Sequence, residues 1–374
     1  MRSPEDICCN LAEAIQHVRS GRATSRRTLA DVMRLSPTTA GLYVDQLIAS
    51  GHLEESGLEQ GRLGRPKRAL GTVADAGWFA GIEFNADRVQ AVRVDFSGAQ
   101  GKSLTHSLPS DADAKSVMKE IAALIAALKT SAAGSLLAIG VGAPGVVDAA
   151  AGVAVHYSFL PGWRNVPVRD ELTKRFKVPV ITENNLRVTA LAERWFGGGR
   201  NLDDFAILGP RSGFGIAVMK HGRLIDGQHH AAGEIGRWVW PLGGDGQEMH
   251  DALSSPAVWR RLAGVTTRAR LPSDLHAALQ TFADSDQNSW HEIVADYARV
   301  LGLVHLLLDS SAYFLHGPLT ALGARFSTEI ATQAAVLMPA LSEMPPNIVP
   351  SALGDDAGAQ GAACMAMEAW EPVF

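Results

Sequence analysis

The chain has 374 residues, 47% of them hydrophobic and 20% charged, with a formal net charge of −5 at pH 7. That balance excludes a mainly disordered chain, the length favours two or three domains, and the acidic total excludes a protein that coats nucleic acid by charge alone. The cysteines Cys8, Cys9 and Cys364 form neither a CxxC pair nor a disulfide framework, which fits a reducing compartment and leaves no cysteine zinc site.

The N-terminus reads as an amphipathic helix rather than a signal peptide, and no stretch reaches the roughly 18 to 20 unbroken apolar residues that span a bilayer. A cytoplasmic location without a membrane partner is expected. From Ser25 to Leu53, Leu29, Val32, Leu35, Ala40, Val44, Leu47 and Ile48 recur at helical spacing on either side of a short break. Two short helices are predicted, the first capped by Ser25 and the second by Ser36 with Pro37 in its first turn.

An amphipathic second helix with a polar N-terminal end is the geometry of a recognition helix in a major groove. Ser36, Pro37, Thr38, Thr39, Leu42 and Tyr43 are expected on its DNA face. No arginine or lysine lies between Ser36 and Ser50, so readout would rest on threonine hydroxyls and on packing of Leu42 against a thymine methyl.

Residues 52–73 then read as two short strands around a tip rich in glycine and arginine, the hairpin of a winged helix. Arg62 and Arg65 at the tip, with Lys67 and Arg26, are the expected contacts to phosphates or a minor groove. Between Arg19 and Arg68 nine basic residues face five acids, so the basic charge is local. The alternative is a small helical protein-binding module with a solvated basic loop.

Past an expected linker near Leu70 to Gly77, strands alternate with helices. Residues 78–85, 89–96 and 136–145 read as strands, Ala114 to Leu128 as a helix, and 205–209 and 214–220 as strands of a second set. Trp238 and Trp240 alternate as in a strand, and His229 and His230 read as loop histidines.

GVGAPGVVD (Gly140 to Asp148), LPGW with Asn165, ENN followed by ALAERWFG, GFGIAV with GRLIDG, AGEIG (Ala232 to Gly236) and LGDDAGAQGAA occur in this order. Together they resemble the ROK family, which joins repressors and sugar kinases, and the likeness runs from about residue 20 almost to the end. The resemblance implies an α/β protein with an N-terminal winged helix-turn-helix ahead of a two-lobed actin-like, ribonuclease-H-like sugar-kinase fold. Its expected domains are 1–75, then 76–185 completed by a C-terminal helix over 355–374, and 186–354, with a ligand cleft between the lobes.

Several positions depart from the kinase pattern. Where the family's kinases have a DxGxT phosphate loop, this chain has Glu83 to Asp87, without glycines and with an acid where phosphate charge would arrive. The family's catalytic aspartate falls at Asn185 once Asn184 is aligned with the preceding asparagine, and an amide is no general base. Glu183, the adjacent acid, should point to the other side of the strand. Arg237 stands at the family's zinc histidine, and no cysteine follows it. Ser212 to Gly215 reads equally as a residual nucleotide loop or a plain turn.

The resemblance also implies that Asn184, Glu234 and the GAPG loop, including Gly142 and Ala143, contact a sugar beside Asn185. Arg187 and Arg237 either bring two cations into that pocket, favouring an anionic ligand, or form structural ion pairs. No catalytic residue, cofactor or metal is expected. The implied protein is a repressor of carbohydrate-related genes without kinase activity, controlled by a sugar-like effector and bound to double-stranded operator DNA as a homodimer or homotetramer. The alternatives are a carbohydrate kinase with an accessory domain, or a regulator answering to a protein partner.

Overall fold

The computed structural model describes residues 4–59, 67–109, 111–130, 133–241 and 246–372. They divide into two units, one of residues up to 185 together with those from 362 onward, the other of residues 186–361. The N-terminal head contains α1 (Pro4–Arg19), α2 (Arg26–Val32) and α3 (Pro37–Ala49). Both predicted caps form. Ser25 Oγ accepts the Thr28 N–H at 3.3 Å while Thr28 Oγ1 accepts the Ser25 N–H at 2.9 Å, and Ser36 Oγ accepts the Thr39 N–H at 3.1 Å.

β1 (Leu53–Glu59) and β2 (Lys67–Thr72) pair antiparallel, with Leu53 opposite Thr72 and Glu59 opposite Lys67. The stretch expected as a linker from Leu70 to Gly77 is therefore the second wing strand followed by a tight turn at Ala74–Ala76. Leu70 is buried and its N–H bonds to the Thr24 carbonyl at 2.9 Å, which fastens the wing to the helices.

The first sheet begins with the meander β3 (Trp78–Phe84), β4 (Arg88–Asp95) and β5 (Gln100–Ser107). Then come α4 (Ala114–Lys129), β6 (Leu136–Ala143), the small sheet β7 (Val146–Asp148), β8 (Val153–His156) and β9 (Arg164–Val166), α5 (Val168–Phe176) and β10 (Val180–Asn184). The strand order is β10-β6-β3-β4-β5, with β3, β6 and β10 parallel. On α4, Val117, Ile121, Leu124, Ile125 and Leu128 form one apolar stripe, and they share a core with Ile82, Phe84 and Ile139 of the sheet.

The second unit repeats this plan. After α6 (Asn185–Phe196) come β11 (Phe205–Leu208), β12 (Ile216–Lys220) and β13 (Arg223–Leu224), followed by α7 (Met249–Leu253), α8 (Ser255–Ala263), α9 (Leu275–Gln280) and α10 (Asn288–Leu308). β14 (Tyr313–Leu315), α11 (Gly323–Leu337), β15 (Ile348–Pro350) and α12 (Ala357–Ala369) complete the chain. The order β13-β12-β11-β14-β15 again joins three antiparallel strands to two parallel ones, around a core of Phe214, Trp290, Tyr297 and Phe326. The expected strand at 214–220 starts at Ile216, because Phe214 lies in the preceding loop. Trp238 and Trp240 are not in a strand; only Val239 between them forms an isolated bridge, to Glu248.

The head is fastened to the first sheet by α1. Arg19 Nε donates to the Phe96 carbonyl at 2.9 Å, and its guanidinium carbon lies 4.7 Å from the Phe96 ring and 5.8 Å from the Phe79 ring. Trp370 stands edge-on to Phe96 with centroids 5.5 Å apart. Burial lowers the Arg19 pKa to about 10, so the group remains a cation. No helix among the described residues is long and apolar enough to cross a membrane.

Candidate functional site

In the head, α3 presents Thr38 and Leu42 to solvent, Leu42 at 63% exposure, beside the exposed cap Ser36 and the half-buried Thr39. Tyr43, expected on this face, is buried. It belongs with Ala40, Val44 and Leu47 to an i, i+3, i+4, i+7 stripe that packs inward.

Arg26 is also placed otherwise than expected. Its Nη1 lies 2.7 Å from Asp45 and its Nε donates to Glu55 at 2.7 Å, which braces α2 against α3 and the wing. Hydrogen bonding from Arg26 holds the Glu55 carboxyl below the usual range, and the charge cancels two acids that would repel phosphate. Arg22, Arg27 and Arg34, which the sequence reading did not single out, are exposed and enter no salt bridge among the described residues. Arg27 adjoins Arg26 on α2, and only the phase of the helix separates the free cation from the paired one. Arg62 and Arg65 lie outside the described residues, and Lys67 opens β2 opposite Glu59.

In the first unit the parallel strands β3, β6 and β10 bring their C-terminal ends together, the edge at which α/β sheets present ligands. Gly142 stands in register between Glu83 and Glu183, and Ala143 beside Asn184. Asn184 Nδ2 donates to the Gly145 carbonyl at 2.9 Å, and Asn185 Nδ2 donates to Glu83 Oε1 at 3.1 Å. The Glu183 carboxylate turns back to accept the Asn184 N–H at 2.6 Å.

The β3–β4 connection is a closed turn. Asn85 Oδ1 accepts the N–H groups of Asp87 at 2.8 Å and Arg88 at 2.9 Å. Main-chain donors that a phosphate loop would aim at its ligand are consumed by a side chain of the turn itself.

In the second unit Arg187 is 3% exposed, and its Nη2 donates to the carbonyls of Asp226, His230 and Ala232 at 3.1, 2.8 and 3.1 Å. It anchors the loop that carries His229 and His230. Arg237 pairs with Glu248 at 3.6 Å, with both side chains about half exposed, so the pair contributes little. Glu234 is half-buried, and none of the described residues hydrogen-bonds its carboxylate. Burial raises its pKa, against a smaller pull from Arg237 and Arg187.

The loop from Ser212 to Gly215 is clamped by His250, a residue the sequence reading missed. The Phe214 N–H donates to His250 Nδ1 at 2.7 Å, which places the ring proton on Nε2. Burial and then Arg237 lower the pKa of this ring. Gly236 passes so close to the imidazole that a Cβ there would overlap it. Among the described residues no three His, Cys, Asp or Glu side chains gather to hold a metal. Arg237, at the family's histidine position, is already paired, so the donors do not fit zinc.

A family model described as "ROK family" matches residues 79–369. The xylose repressor of Caldicellulosiruptor bescii is 25% identical over 225 residues, covering 59% of this chain and 56% of that protein. The glucokinase of Thermotoga maritima is 38% identical over 101 residues, covering 27% of this chain and 32% of the kinase. The chain thus spans little more than half the length of the repressor, and a third of the kinase. A solved ROK family transcriptional regulator, a homolog of the E. coli MLC protein, superposes with a TM-score of 0.79 at 19% identity, covering 97% of both chains. That likeness shows the fold, a mixed α/β actin-like fold behind an N-terminal winged helix-turn-helix.

Proposed function

The chain belongs to the ROK family, and from that premise we propose that it is a DNA-binding transcriptional repressor of carbohydrate-related genes, released or engaged by a sugar-like effector. One observation carries the reading: a winged head precedes a sugar-kinase fold in which Asn85 and His250 take up N–H groups of the two phosphate-loop segments. The protein transfers no phosphoryl group on this reading. Asn185 offers an amide where a base is needed, and that amide is engaged with Glu83.

The group offered to effector hydroxyls is the open carboxylate of Glu234 in the second unit, while in the first unit Asn184 holds the loop after Gly142 and Ala143 through the Gly145 carbonyl. Arg187 and Arg237 serve structure on this reading, through loop carbonyls and Glu248 respectively. In the cytoplasm, where an operator is found, α3 would enter the major groove with Ser36, Thr38, Thr39 and Leu42 toward the bases. Arg27 and the wing cations Arg62, Arg65 and Lys67 would lie along phosphates. The effector shifts operator affinity by the difference in its own affinity for the two states of the protein.

Fluorescence anisotropy on the chain's own upstream DNA against scrambled DNA, across a salt series and a sugar panel, tests this. The expected result is tight, steeply salt-dependent binding to the upstream duplex that one sugar alters. Equal weak binding to both duplexes with every sugar present would overturn it.

A further inference from the structure

Of the eight tryptophans only Trp238 is exposed, at 60%. Phe159 is the other exposed aromatic side chain among the described residues, and its ring rests 5.4 Å from that of Tyr157. Trp238 meets no other ring among the described residues, and none of them takes up its indole N–H. The main chain beneath it is nonetheless braced from two sides. Its N–H donates to the Ile235 carbonyl at 3.0 Å, its carbonyl accepts the Met249 N–H at 2.8 Å, and the Trp240 N–H donates to the Gln247 carbonyl at 2.8 Å. Val239 bridges to Glu248 between these bonds, and Gly236 is pressed against the Phe214 carbonyl and the His250 ring. Two residues on, Trp240 enters the core of the second unit, so the same short segment buries one indole and holds the other in water.

Apolar side chains exposed singly are ordinary, and what sets Trp238 apart is the company it keeps. The Arg237 N–H donates to the Glu234 carbonyl at 3.1 Å and the Trp238 N–H to that of Ile235, so the open carboxylate of Glu234 and the indole belong to one tight stretch of chain. These are complementary halves of a sugar site. A closed pyranose carries hydroxyls around its rim and C–H groups on its faces. The rim donates to a carboxylate, and the faintly positive C–H face lies against the negative face of an aromatic ring. We propose that the Trp238 indole is a stacking platform for the effector, which is a closed pyranose ring lying on the indole with a rim hydroxyl donating to Glu234. An open-chain polyol carries the same hydroxyls but no rigid apolar face, and it would have to be ordered on binding. The proposal rests on the sugar-effector reading and narrows it to ring-closed sugars with a face clear of axial hydroxyls.

Calorimetric titration of the full chain, combined with acrylamide quenching of its tryptophan emission, tests the platform with glucose, mannose, galactose and xylose, each beside its reduced open-chain alditol. At least one pyranose is expected to bind, to shield the readily quenched emission of Trp238, and to outbind its alditol by about tenfold or more. Trp238→Ala and Trp238→Leu should each weaken that sugar about tenfold with unchanged circular dichroism, since bulk without a π face cannot stack, whereas Trp238→Phe should stay within about threefold of wild type. The phenylalanine variant should also lose the shielding signal, which assigns that signal to this indole. A pyranose that binds while Trp238 stays open to acrylamide, an alditol that binds as tightly as its pyranose, or a Trp238→Leu variant that binds like wild type overturns the platform and leaves the effector reading standing. Binding of no pyranose and no alditol overturns the platform and the sugar-effector reading together.

Discussion

On the proposed reading, the segments that would handle phosphate and those that would handle hydroxyls differ in how their polar groups are engaged. At Asn85 a side chain of the protein accepts two main-chain N–H groups of its turn, and at His250 one, that of Phe214. At Glu234 a half-buried carboxylate receives no hydrogen bond from any described residue. Its oxygens are not among the buried atoms left without a partner, and on the proposed reading an effector hydroxyl takes the place that water can reach. On the proposed reading, the N–H groups of Asp87, Arg88 and Phe214 are engaged by side chains of the protein, while an acceptor for neutral hydroxyls stays open.

The sharpest way to break that contrast is at Glu234. Glu234→Ala should weaken the effector by about ten- to a hundredfold in calorimetric titration, the worth of a hydrogen bond to a charged group. An unchanged affinity would remove Glu234 from the site. Because burial raises this carboxyl's pKa, acid neutralises it at a higher pH than an ordinary glutamate. Wild-type affinity should therefore fall as pH drops through that raised value, and Glu234→Gln should abolish this dependence.

Next in size is His250→Ala, which frees the Phe214 N–H and leaves a hole beside Gly236. Urea unfolding should show a loss of about 2 kcal/mol. ATP binding that appeared only in this variant would show that the histidine alone had kept the loop closed. The smallest expected effect is that of Asn85→Ala, about 1 kcal/mol by thermal melting, from loss of the side-chain acceptor in the β3–β4 turn. Sugar affinity should not change, and if it did, the two kinds of segment would not be separable.

Features that depend on neighbours in the chain were legible before any coordinates. Ser25 and Ser36 cap their helices because the donors they satisfy lie three residues on, and the stripe on α4 follows from its spacing. The inward place of Tyr43 is carried by its spacing from Ala40 and Leu47, which outweighs its expected place on the DNA face. The roles of Arg26 and Arg187 were not legible, since Glu55 is 29 residues from the first and the carbonyl of Asp226 is 39 residues from the second. His250 gave no local sign either, because its partner Phe214 is 36 residues away. The repeated strand order of the two sheets is similarly a property of the assembled topology, hidden by helices of unequal length between corresponding strands.

The seat of Arg19 bears on how such proteins can be recombined. Its guanidinium is bonded to the Phe96 carbonyl and lies over aromatic rings of the first sheet, with Trp370 from the far end of the chain closing the cluster. A chimera cut at residue 75, bearing a foreign head, would leave the Phe96 carbonyl and the faces of Phe79 and Phe96 without the guanidinium. A head transplanted onto this sheet should therefore supply an arginine for the seat over Phe79 and Phe96.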